Sequence, residues 1–100
     1  MQVTVTGRHV NVTDDVKTYA HEKAAKLEKF HDHIQHIEVI LDHEGLDFTV
    51  DMIVTVDRHE NFIAHERGTD TFALIDLIVD KLARQLKRHK EKFIGRRHTG

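Results

Sequence analysis

The sequence predicts an α+β fold of order β-α-β-β-β-α, a four-stranded mixed sheet with two helices packed on one face. Three observations carry it. Residues 2–6 and 46–56 alternate apolar and polar side chains, the period of a strand with one covered and one wet face. Residues 70–97 instead repeat apolar side chains at helical spacing, at Phe72, Ile75, Ile78, Val79, Leu82, Leu86 and Phe93. The last three strands are joined by short connections, which make them antiparallel neighbours, whereas the first two are joined through a helix and run parallel.

Each element has its own signal. The first strand, Gln2 to Thr6, is rich in β-branched residues, and Gly7-Arg8-His9 turns the chain out of it. Thr13 followed by Asp14 and Asp15 starts a helix, with a capping hydroxyl and two acids in the first turn. That helix runs to about Phe30, with Val16, Tyr19, Ala20, Leu27 and Phe30 on one face. Lys23 falls on the same stripe. Either its stem packs there and the ammonium reaches water, or the ammonium sits between helices, aimed at an anion. Residues 34–42 are a second strand, with Ile37, Val39 and Leu41 on one face. His43-Glu44-Gly45 turns the chain into residues 46–56, which place Leu46, Phe48, Val50, Met52, Val54 and Val56 together. A polar connection, Asp57 to Asn61, precedes a shorter strand at 62–67. Asp70 caps the last helix and Gly95 is its expected stop. The chain is then one domain over residues 1–94, followed by a short basic tail at 95–100.

Charge is distributed unevenly. The net charge is −2, yet residues 1–70 hold 7 basic and 14 acidic side chains and residues 71–100 hold 8 and 3. Residues 81–97 alone carry eight Lys or Arg and one acid, Glu91. Favouring the helix dipole takes only a cation or two in the last turn. On a helical wheel centred on Ile75, Lys81, Arg84, Arg88 and Lys92 fall together at about 180–260°, away from the apolar face. A row this dense repels itself unless a polyanion lies against it. Both helices need the same apolar sheet face, so they lie side by side and bring Lys23, Lys26 and Lys29 near that row.

Other chemistries find little support. The chain contains no cysteine and no serine, no glycine-rich phosphate loop and no HExxH. No apolar run approaches the roughly 20 residues that span a bilayer, and the start lacks the form of a signal peptide. His31-Asp32-His33 and His36 read as solvated histidines, at most a weak adventitious metal site. Asp76 and Asp80 form a charged flank, with Asp80 pairing Arg84 at i,i+4. The expectation is a binding protein without cofactor or metal, not an enzyme. Ten histidines add positive charge in mild acid, His21 and His89 close to the basic clusters, so polyanion binding is expected to tighten below about pH 6.5.

Four segments carry a family resemblance: MQVTVTGRHVNVTDDV at the start, KAAKLEKF (Lys23 to Phe30), GTDTFALID (Gly68 to Asp76) and LIVDKLARQLKRHKEK (Leu77 to Lys92). Together they resemble the bacterial ribosome hibernation-promoting factor family, which includes the ribosome-associated translation inhibitors. The resemblance covers essentially the whole chain, and DKLARQLKRHKEK is its specific part. It implies a cytoplasmic stress protein that binds the small ribosomal subunit, at the decoding region of 16S rRNA, and the 70S ribosome. There it would compete with mRNA and tRNA, block translation and preserve idle ribosomes, with no membrane and no small-molecule substrate involved. It also implies that Lys23, Lys26 and Lys29 of the first helix meet rRNA phosphates, with Lys81, Arg84, Lys87, Arg88, Lys90 and Lys92 of the second. Arg8 is carried over from the turn after the first strand. The connection at Asp57 to Asn61 lacks the glycine relatives often have, Thr71-Phe72 replaces a Met-Tyr pair, and Leu74 replaces a small residue. The added C-terminal domain of long members is not expected here. Two other readings stay open: a module for double-stranded RNA, whose domain also sets helices on one face of an antiparallel sheet, and a module that docks an acidic protein.

Overall fold

A computed structural model describes the backbone of residues 1–99 and the side chains of residues 1–90. The order is β1 (Gln2–Gly7), α1 (Asp14–Ala25), a 3₁₀ segment (Lys26–Phe30), β2 (Ile34–Glu44), β3 (Asp47–Val56), β4 (Phe62–Gly68) and α2 (Thr71–Thr99). The strands lie in the order β1-β2-β3-β4. β1 runs parallel to β2, from Gln2 opposite His36 to Gly7 opposite Leu41. β2 and β3 are antiparallel, as are β3 and β4, so the sheet is mixed as the sequence predicts.

The two periodicities meet in one core. Ile37, Val39 and Leu41 of β2 and Val50, Met52 and Val54 of β3 are buried. Their alternation puts Glu38, Ile40, Asp51 and Ile53 on the opposite, uncovered face. Against the inner face pack Ala20, Ala24 and Leu27 from the first helical segment and Leu74, Ile75, Ile78, Leu82 and Leu86 from α2. Both helix starts are capped as the sequence predicts. The Thr13 hydroxyl accepts from the Val16 N–H at 3.3 Å, and the Asp70 carboxylate accepts from the Phe72 and Ala73 N–H groups at 3.0 and 3.4 Å.

Four local expectations change. The first α-helix ends at Ala25, and Lys26–Phe30 winds as a 3₁₀ turn. Residues three apart eclipse in that winding, so buried Leu27 and half-buried Phe30 point the same way, over the core. Leu46 lies in a two-residue turn with Gly45 rather than on the strand face, and is 99% exposed. Gly45 alone takes positive φ there, at 62°, the φ signature of a II′ hairpin turn. Arg58 supplies the left-handed residue, at φ 58°, of the glycine-free β3–β4 connection. Phe72 is 41% exposed while Leu74 is buried, so the first turn of α2 seats a different side chain from the one its periodicity suggests. Gly95 lies inside α2, whose helical backbone continues to Thr99. One glycine costs a helix only about 1 kcal/mol against alanine, and no proline follows to end it.

Candidate nucleic-acid interface

The two helical segments run side by side in the same direction. At their N-terminal ends Tyr19 of α1 donates its hydroxyl to Asp76 of α2 at 2.6 Å and meets the Phe72 ring edge-on, 5.1 Å between centroids. Lys23 reaches the same carboxylate at 3.7 Å and lies over the Tyr19 ring, 5.4 Å from its centroid. Both readings of Lys23 are thus partly met. Its ammonium is between the helices and faces an anion, but that anion is the protein's own Asp76. The hydrogen bond to Asp76 raises the Tyr19 phenol above its usual range, with burial and the charges of Asp76 and Asp70 acting the same way.

Further along, Phe30 of the 3₁₀ segment and Asp80, Ala83, Arg84 and Lys87 of α2 line an open depression of about 350 Å³. Lys29 covers the Phe30 ring at 5.2 Å. Lys26, Lys29, Arg84, Lys87 and Arg88 are all exposed. Among the described residues none of these five has a carboxylate within ion-pair distance, and the expected Asp80–Arg84 pair is not formed. The other two described cations of α2 are engaged. Lys81 pairs with Glu66 of β4 at 3.6 Å, and Lys90 with Asp32 at 3.6 Å. The Lys92 side chain lies outside the described residues. Arg8 is exposed, but its N–H is held by the Leu41 carbonyl at 2.7 Å. This places it at the end of the sheet near the β2–β3 turn, away from Lys87 and Lys90.

The histidines are not all solvated. His31 is 7% exposed and stacks on His89 of α2, 5.3 Å between centroids, with their ring nitrogens 3.3 Å apart. Burial, together with His89 and His33, lowers its pKa below the usual imidazole range. His36 instead meets the Thr4 hydroxyl at 2.8 Å, joining β1 to β2 on the outer face. Among the described residues no group of three His, Asp or Glu could hold a metal ion. Sequence reasoning missed the imidazole pair and the Asp76 tether. Their members lie 58, 57 and 53 residues apart, where no local signal connects them.

The arrangement is therefore a helical face with a central group of exposed cations, without ion pairs among the described residues, beside a shallow depression bordered by Phe30. It suits a phosphate backbone better than a small molecule, because it offers exposed point charges beside an open depression.

Comparison with known proteins gives a consistent result. A family model described as Sigma 54 modulation protein / S30EA ribosomal protein matches residues 3–94. A ribosome hibernation promoting factor of Pseudomonas putida is 40% identical over 92 residues, covering 92% of this chain and 89% of its own. One from Escherichia coli K12 is 39% identical over 93 residues, covering 93% and 97%. In three dimensions a ribosomal subunit interface protein from Coxiella burnetii shares the fold, with TM-score 0.83, 24% identity and coverage of 91% and 99%. The N-terminal domain of Thermus thermophilus Protein Y follows with TM-score 0.79, 28% identity and coverage of 89% and 99%. This chain belongs to the Sigma 54 modulation protein / S30EA ribosomal protein family, the family of the ribosome hibernation promoting factors it matches.

Proposed function

We propose that this protein is a cytoplasmic hibernation factor. It binds the small ribosomal subunit along the mRNA and tRNA path of the decoding region, inhibits translation and preserves idle ribosomes. The names of the relatives support the ribosomal partner. The observation that carries the site is the group Lys26, Lys29, Arg84, Lys87 and Arg88. Five exposed cations on adjoining helical segments, without carboxylate partners among the described residues, leave their charge for an external polyanion. Lys23, Lys81 and Lys90 contribute after exchanging an internal carboxylate for a phosphate. Inhibition of this kind is steric and stoichiometric, so it saturates near one protein per ribosome and shows no turnover.

Sedimentation of ribosomes with the protein tests the reading, with and without mRNA and initiator tRNA. Co-sedimentation that both competitors abolish is the expected result. Binding indifferent to them overturns the channel-blocking mechanism, and absence of binding at low salt overturns the ribosomal reading. Tight binding to naked RNA duplexes would favour the double-stranded RNA module instead.

A further inference from the structure

Beyond the cationic face, the start of β4 and the loop before it hold a set of rings that phosphate binding does not use. His59, in the β3–β4 loop, lies parallel to Phe62, with 4.8 Å between centroids and 5° between planes. His89 of α2 meets both, at 4.3 Å from His59 and 5.4 Å from Phe62. These distances close a triangle. Had His89 covered the face of His59 opposite Phe62, it would lie far beyond 5.4 Å from Phe62. It therefore sits at the flank of the His59 ring, and neither aromatic neighbour covers the outer face of an exposed residue. The ring is also pinned by its own loop, where His59 Nδ1–H donates to the Glu60 carbonyl at 2.5 Å. Beside it, Arg58 extends a side chain that is 93% exposed, its Nε 4.0 Å from the Asp57 carboxylate.

We propose that His59 is a stacking site for one unpaired RNA base, with Arg58 taking an adjoining phosphate. A planar ring backed by a second ring and fixed in orientation loses little freedom when a base lands on it. Base–aromatic stacking is indifferent to sequence, because every base presents a π-face. The partner is RNA rather than protein because the platform borders α2 through His89, and α2 carries the exposed Arg84, Lys87 and Arg88, which make no ion pair among the described residues. A strand following those charges presents its bases next to its phosphates. This inference rests on the ribosomal reading above. It extends the binding surface from the helices to the β3–β4 loop.

The test compares wild type, His59→Ala and His59→Phe on purified small subunits, by sedimentation at several salt concentrations and by chemical probing of rRNA bases. His59→Ala is expected to bind about ten-fold more weakly, the loss of one stacked base. His59→Phe is expected to stay close to wild type, and all three are expected to share one salt slope, because stacking releases no counterion. One base should change reactivity with wild type and His59→Phe but not with His59→Ala. Equal binding by His59→Ala overturns the inference, and so does a phenylalanine variant as weak as alanine. A binding loss without any such base shows that the loop contacts a ribosomal protein, which also overturns it. Failure of all three chains to bind overturns the ribosomal reading instead. Thermal melts of the variants establish that each is folded at the temperature of measurement.

Discussion

His31 Nε2 lies 3.3 Å from His89 Nδ1, and one other bond determines which way the proton points. The His33 N–H donates to His31 Nδ1 at 3.1 Å, so that nitrogen is unprotonated. Neutral His31 then carries its proton on Nε2 and donates it to His89. Protonating His31 at Nδ1 would cost the bond from His33 and place a cation beside His89, His33 and Lys90, with Asp32 the opposing charge among the described residues.

The first prediction follows from that geometry. Burial first, then the neighbouring imidazoles, hold the pKa of His31 below its unfolded value of about 6.5. The unfolded chain therefore binds more protons at this site, and stability falls as pH drops from about 6.5 through the lower folded value. Urea unfolding should show a lower midpoint in mild acid than near neutrality. His31→Leu should lose less over the same interval, since it removes this one titration and leaves the other nine histidines. An identical acid loss in the variant would refute the assignment.

A second prediction concerns the exposed cations of α2. Replacing Arg84, Lys87 and Arg88 together by Gln should lower the slope of log affinity against log salt by roughly 0.7–0.9 for each phosphate that the variant no longer neutralises. The melting temperature should barely move, because the three side chains are exposed and make no ion pair among the described residues. An unchanged slope would remove them from the interface.

Tyr19 offers a spectroscopic test, since it is the chain's single tyrosine. Its hydroxyl donates to Asp76, which raises its pKa. Alkaline titration by phenolate absorbance should give a midpoint above that of a free tyrosine, and Asp76→Asn should bring it down. Lys23→Met should shift stability by no more than about 1 kcal/mol, because the Lys23–Asp76 pair is 34% and 49% exposed. A large destabilisation would show that Lys23 supports the packing of the helices.

The two faces of α2 should respond differently to truncation. Leu82 is fully buried, and Leu82→Ala should cost about 2–5 kcal/mol in denaturant unfolding. Leu77, 54% exposed and five positions earlier, should cost within about 0.5 kcal/mol when replaced by Ala. Similar losses at both positions would mean that Leu77 is covered in solution.

What the sequence determined by itself is local. Alternation at 46–56 marks a one-sided strand, and Val50, Met52 and Val54 are indeed the buried side of β3. Helical spacing names Ile75, Ile78, Leu82 and Leu86, all fully buried. Thr13 and Asp70 mark both helix starts, because a capping side chain acts within three residues of itself. The family resemblance likewise lies in contiguous segments. Local patterns fail at the ends of elements, where turn geometry competes with periodicity: Leu46 continues the alternation but falls in the turn. Tertiary structure decided which charges are spent internally. Lys23, Lys81 and Lys90 resemble Arg84 and Arg88 in the sequence, yet each faces a carboxylate on another element, at Asp76, Glu66 and Asp32. It also brought His31 to His89 and His59 to Phe62 and His89. An ion pair or a ring stack between elements depends on their packing distance and register. Periodicity along one segment carries no information about either, because those are properties of two segments at once.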